Sequence, residues 1–141
     1  MTNKLKINYT QSPSLEDIQI LGDGIAAYAK KQKNLDPAES FGFFIHDEKN
    51  QLIGGCNGVM YYGCLYIDQL WLDESIRNHG YGTQLIQAAE NLGKQRKCSF
   101  ATVNTMDWEA RDFYKKCGYV EEYARSGYAE DSTIYFLRKN L

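Results

Sequence analysis

Residues 77–82 read Arg77-Asn78-His79-Gly80-Tyr81-Gly82, and no other stretch constrains the fold as much. Cys64 to Leu72 before them reads as a strand. After them, Leu85, Ala88, Ala89 and Leu92 recur at helical spacing to about Arg96. Glycines at a strand-to-helix turn let backbone approach an anion closely. The helix behind such a turn offers unpaired N–H groups and a positive dipole end. Arg77 adds positive charge and His79 is a further candidate cation, so the segment has the physics of a pyrophosphate site. It is not a P-loop, because no Gly-Lys-Ser/Thr follows. A dinucleotide fingerprint would want glycine where Leu85 stands. Taken alone, the two glycines also suit a plain tight turn.

The rest of the chain supplies partners for this unit. Leu5, Ile7 and Tyr9 alternate, which predicts a first strand over Lys4 to Tyr9. Ser14 is an acceptable N-cap for a helix whose apolar residues are Ile18, Leu21, Ile25 and Tyr28. Gly22 and Gly24 cost it about 1 kcal/mol each, so it reads as one interrupted helix or two short ones ending near Lys33. Ser40 to His46, Gln51 to Met60 and Cys64 to Leu72, joined by short turns, predict an antiparallel meander. Phe100 to Asn104 is a short buried strand. Asp107 is read as the cap of a helix through Lys116, and Gly118 suits the left-handed position after it. Tyr119 to Arg125 and Thr133 to Arg138 close the order β–α–βββ–α–β–α–ββ. The expected class is α/β, an α+β mixed sheet, within a single domain over residues 1–141.

The third meander strand breaks parity. Leu65 and Ile67 share one face, whereas Leu70 and Leu72 have the opposite parity. Either a β-bulge near Asp68-Gln69 or burial on both faces reconciles them. A bulge would splay the strand and free backbone groups for a ligand.

A formal charge of −2 argues against a nucleic-acid binder, which carries a basic stripe. Lys30-Lys31-Gln32-Lys33 and Lys94-Gln95-Arg96-Lys97 fall at expected helix ends, where cations meet the negative end of the dipole. No run approaches the ~18 apolar residues that span a bilayer, and Met1-Thr2-Asn3-Lys4 has no apolar signal core behind it. A cytoplasmic protein with no membrane partner is expected. Cys56, Cys64, Cys98 and Cys117 are scattered and the two histidines lie far apart, so reduced thiols and no metal site are expected.

Further along stands Ala110-Arg111-Asp112-Phe113-Tyr114-Lys115-Lys116-Cys117-Gly118-Tyr119. Together with the glycine loop this segment resembles the GNAT superfamily of acetyl-CoA-dependent N-acetyltransferases. Residues 77–82 match its Q/R-x-x-G-x-G/A loop without departure. Residues 110–119 match its A-x-x-F-Y-x-K-x-G-[FY] helix. The order of elements fits that fold over nearly the whole chain: a mainly antiparallel sheet with a central splayed β–loop–α unit. Residues 101–105 and the ending from Ile134 to Leu141 are loosely similar to a small bacterial subgroup.

The resemblance implies acetyl-CoA as cosubstrate, with no metal. It places the pyrophosphate on the backbone amides of Arg77, Asn78, His79, Gly80, Tyr81, Gly82 and Thr83. It sets the pantetheine arm beside Leu70, Trp71 and Leu72, with Asn104 on the neighbouring strand and Phe113 and Lys116 near the cofactor's tail. Tyr114 matches the family's general acid. A phenol with reference pKa near ~10 can protonate a departing thiolate and recover its proton. Backbone N–H groups on the splayed strand would polarise the thioester carbonyl. Asp68 is the candidate base, with Gln69 as near and a water chain as an alternative; Glu109 and Asp107 read as turn acids.

The implied acceptor is a primary amine on a small molecule, peptide or protein. Asp23, Asp36, Glu39, Glu121, Glu122, Glu130 and Asp131, with Tyr28 and Tyr128, would make an acidic, aromatic cleft for a cationic amine if they gathered on one face. A homodimer is expected, with the apolar strand Thr133 to Leu137 pairing or packing at an edge. The rival readings are a non-catalytic acyl-CoA- or phosphate-binding regulator and a protein-interaction module. The regulator would have no use for Tyr114.

Overall fold

The computed structural model describes residues 4–141. The chain divides into two compact units, Met1–Pro37 and Ala38–Leu141. In the first, helix α1 spans Leu15–Lys33 without interruption. The Ser14 hydroxyl caps it by accepting from the Asp17 amide (3.1 Å), and three lysines occupy its last turn. Gly22 and Gly24 do not break it. The strand expected over Lys4 to Tyr9 does not form; residues 4–10 have no regular structure. A strand needs a neighbour for its backbone groups, and among the described residues this unit contains no other strand.

The second unit is one six-stranded sheet in the order β1-β2-β3-β4-β6-β5. The strands are β1 (Glu39–His46), β2 (Leu52–Tyr61), β3 (Cys64–Leu72), β4 (Phe100–Met106), β5 (Val120–Tyr128) and β6 (Ser132–Asn140). Helix α2 (Tyr81–Gln95) connects β3 to β4, and α3 (Arg111–Lys116) connects β4 to β5. All pairings are antiparallel except β3 with β4. The expected mixed sheet is therefore present, with the parallel pair formed by the central β–loop–α–β unit. Strand β6 lies between β4 and β5, so Thr133 to Leu137 is an interior segment and not the edge expected of it; the edges are β1 and β5.

The core lies between the sheet and α2. Leu65, Ile67, Ala101, Val103 and Leu137 from three neighbouring strands meet Leu85, Ile86 and Ala89 of the helix, all nearly inaccessible. Eight such side chains, each contributing about 1–3 kcal/mol of apolar transfer (alanines less), anchor α2. The parity break in β3 is a bulge. Gly58 pairs with Ile67 and Asn57 with Gln69, which leaves Asp68 as the extra residue. The bulge presses the Tyr66 carbonyl against β2, so that a Cβ at Gly58 would stand 1.9 Å from it. Only glycine fits opposite.

Candidate functional site

The parallel pairing of β3 and β4 runs from Cys64/Phe100 to Ile67/Val103 and stops there. Beyond it β3 continues against β2 and β4 continues against β6. The two strands part just where Asp68 bulges, and the edge of β3 from Asp68 to Leu72 that faces β4 has no strand partner. The Asn57 side chain holds the bulge by accepting from the Gln69 amide at 3.1 Å.

From Leu72 the chain enters the glycine loop. Arg77 Nε donates to the Leu72 carbonyl (3.0 Å), which fastens the loop to the strand end. Asp73 accepts from the Ser75 amide (3.0 Å) and hydroxyl, and these bonds hold its carboxyl below the usual range. Asn78 and Gly80 adopt left-handed backbone, with φ of 63° and 85°. The first bond of α2 runs from the Gln84 amide to the Gly80 carbonyl (3.1 Å). No side chain caps this terminus and no acid lies in its first turn. Unpaired amides with the positive dipole end behind them are what an anion requires.

A cavity of about 720 Å³ joins the two features. It is walled by Leu70, Trp71 and Leu72 on the strand side, by Arg77, Asn78, Gly80, Gly82 and Thr83 at the loop and helix start, and by Phe113 from α3. Nine of the expected cofactor residues thus line one cavity. His79 and Tyr81 belong to the same loop without lining the cavity. Asn104, on β4 just past the parting, donates to the Tyr66 hydroxyl (3.4 Å) and lines a separate cleft of about 340 Å³. Lys116 lines a smaller cavity of about 250 Å³ that shares Thr83 and Phe113 with the large one.

Tyr114 is 6% exposed, with its ring edge-on to Phe113 (5.3 Å) and to Tyr119 (5.9 Å). Burial, then the negative charge of Glu109, pushes its phenol well above the ordinary tyrosine range. Asp68 accepts from the Tyr66 hydroxyl at 3.4 Å. The neighbouring thiol of Cys56 is raised by burial to about 11, which leaves it a protonated core residue. All four cysteines are free.

One expectation needs correction here. Asp107 does not cap α3, which starts at Arg111 after an uncapped Ala110. Thr105 accepts from the Ala110 amide (3.1 Å) instead, and Glu109 accepts from the Met106 amide (2.9 Å). Residues 107–112, apart from Trp108, line the cavity, which periodicity could not reveal in an irregular turn. Of the seven acids that could have formed an acidic cleft, Glu39, Glu121 and Glu122 are paired with basic side chains. Glu121 pairs with Arg111 and Lys115, Glu39 with Arg96, and Glu122 faces Arg138 at 4.0 Å. One further feature was not anticipated: Glu90 on the apolar stripe of α2 is buried and bonded to Tyr119 and Lys139. An acid at helical spacing from Ile86 and Gly93 was the available signal.

Among the described residues no helix is long and apolar enough to cross a membrane, and no cluster of His, Cys, Asp and Glu could hold a metal ion. The acetyltransferase (GNAT) family model matches residues 10–119. The blasticidin-S acetyltransferase of Streptomyces morookaense is 31% identical over 106 residues, covering 74% of this chain and 78% of that protein. The crystal structure of an acetyltransferase from Bacillus cereus superposes with a TM-score of 0.76 at 27% identity, covering 95% of this chain and 98% of that one. A Bacillus anthracis acetyltransferase structure in complex with acetyl coenzyme A superposes with a TM-score of 0.65 at 22% identity, covering 72% and 62%. The chain belongs to the acetyltransferase (GNAT) family and is an acetyl-CoA-dependent acetyltransferase.

Proposed function

We propose that the protein moves an acetyl group from acetyl-CoA directly to the primary amine of a small molecule bound in the same complex. One relationship carries this reading: β3 and β4 part beside the uncapped start of α2. The pyrophosphate takes the amides of residues 77–83, and the pantetheine arm runs along the free edge of Leu70 to Leu72. The family match spans residues in both compact units, which supports reading 1–141 as one acetyltransferase domain.

In the proposed reaction Asp68 takes a proton from the ammonium acceptor. The neutral nitrogen then attacks the thioester carbonyl, a C–N bond forms, and the C–S bond breaks. Tyr114 gives its proton to the departing sulfur. The second proton lost by nitrogen restores the phenol. Glu39, Glu121 and Glu122 pair with arginines, whereas Asp107, Glu109 and Asp112 line the cavity, so charge alone does not select the acceptor. The name of the Streptomyces relative supports an antibiotic-like amine.

The test is CoA-thiol release from acetyl-CoA over a panel of blasticidin S, an aminoglycoside, spermidine, a lysine peptide and a peptide with a free amino terminus. Saturable transfer to a small-molecule amine is expected. Transfer to the peptides alone would overturn the acceptor class.

A further inference from the structure

Glu90 sits two and a half turns into α2, on the helix whose start forms the anion site. It is 6% exposed, and both carboxylate oxygens are bonded. Oε2 accepts from the Tyr119 hydroxyl at 2.8 Å, and Oε1 accepts from Lys139 Nζ at 3.0 Å. Lys139 Nζ also donates to the Cys117 carbonyl at the end of α3 (2.9 Å). One carboxylate therefore ties α2, the C-terminus of α3, the entry to β5, and β6.

Tyr119 is the link to the chemistry. Its amide donates to the Tyr114 carbonyl (3.0 Å), and its ring meets the Tyr114 ring edge-on at 5.9 Å. The Tyr114 phenol is buried, and its ring is packed edge-on between two other aromatic rings. Its direction is set by the rings on either side, Phe113 and Tyr119. Of these, Tyr119 is the one with a polar tether. Burial, the bond to Glu90 and its charge hold the Tyr119 phenol far above its ordinary range, so it stays a donor.

Packing alone does not call for this arrangement. A buried ion pair with its hydrogen bonds is often matched or exceeded in stability by apolar residues of equal volume. What the polar version adds is a single bonded geometry for the Tyr119 ring relative to α2. We propose that Glu90, Tyr119 and Lys139 are positioning residues that hold the Tyr114 phenol in line with a cofactor seated on the same helix. This rests on the reading of Tyr114 as general acid.

The experiment is a kinetic double-mutant cycle of Tyr119→Phe with Tyr114→Phe, repeated with Glu90→Gln. Rates are read on the amine that the panel selects and on water as acceptor, and acetyl-CoA affinity by calorimetry. Tyr119→Phe keeps the ring, so it carries the cycle if Glu90→Gln fails to fold. The expected result is a loss in kcat of about tenfold, as for a modest misplacement of a reacting group, with KM for acetyl-CoA within about twofold. In the Tyr114→Phe background the further loss should vanish, because the network acts through that hydroxyl. Equal losses in both backgrounds, or no loss in either, would overturn the proposal while leaving Tyr114 as the acid. A silent Tyr114→Phe would overturn both.

Discussion

Gly82 lies against the ring of Phe113, so that a Cβ on the helix start would stand 3.1 Å from Cζ and 3.2 Å from Cε1 of that ring. The first turn of α2 and the helix that bears Tyr114 touch at this point. Gly82 is thus a contact between helices, and in the proposed reading it also gives an anion access to backbone. Gly82→Ala should overpack the contact and lower stability by about 1–3 kcal/mol. It should also weaken acetyl-CoA binding at least tenfold, about 1.4 kcal/mol. Calorimetry on the folded variant checks this; unchanged affinity would remove the glycine from the cofactor site.

Tyr114→Phe should retain the fold and acetyl-CoA affinity while kcat falls by roughly 10²–10⁴, toward the lower end because a CoA thiolate leaves readily. The loss should exceed any change in KM. Steady-state kinetics with parallel calorimetry decides, and near-wild-type turnover would make the tyrosine structural.

The pH profile gives a separate check on the same residue. Burial raises the Tyr114 phenol above its ordinary range, so the protonated acid is present at every pH below the normal tyrosine value. No loss of kcat attributable to Tyr114 should appear up to about pH 10. Its raised value also means that its contribution to stability is complete below that pH and declines above it. A descending limb near pH 8 that disappears in Tyr114→Phe would contradict this.

Glu121 offers a stability test at the acid end. Bonds from Arg111 and Lys115 hold its carboxyl below the ordinary value. A depressed carboxylate stabilises the fold above its unfolded pKa of about 4.3, and that contribution is lost as pH falls through the folded value. Glu121→Gln should thus be less stable than the parent at pH 7, with the gap closing under acid. Urea melts at neutral and acid pH measure it, and a gap that widens on acidification would reverse the assignment.

The glycine loop and the Phe-Tyr helix were legible because their chemistry is written in contiguous residues. The bulge was half legible: the parity of Leu65, Ile67, Leu70 and Leu72 demanded an explanation and left two. Gly58 decides between them, since it lies opposite the bulge and leaves no room for a side chain. The position of β6 was not legible, because apolar strands look alike whether they lie inside a sheet or at its rim. The missing strand at Lys4 to Tyr9 shows that alternation states which faces differ and says nothing of whether a neighbour exists. The Glu90 network joins residues 29 and 49 positions apart, and no local pattern reports such a pairing.

The parting of β3 and β4 leaves two unpaired edges facing each other within the sheet. An edge at the rim is open to any passing strand, which is why exposed rims invite aggregation. An edge inside a narrowing gap admits only something about one strand wide that enters end first. The same unsatisfied backbone that would be a hazard on β1 or β5 is, at the centre, flanked by a strand on either side.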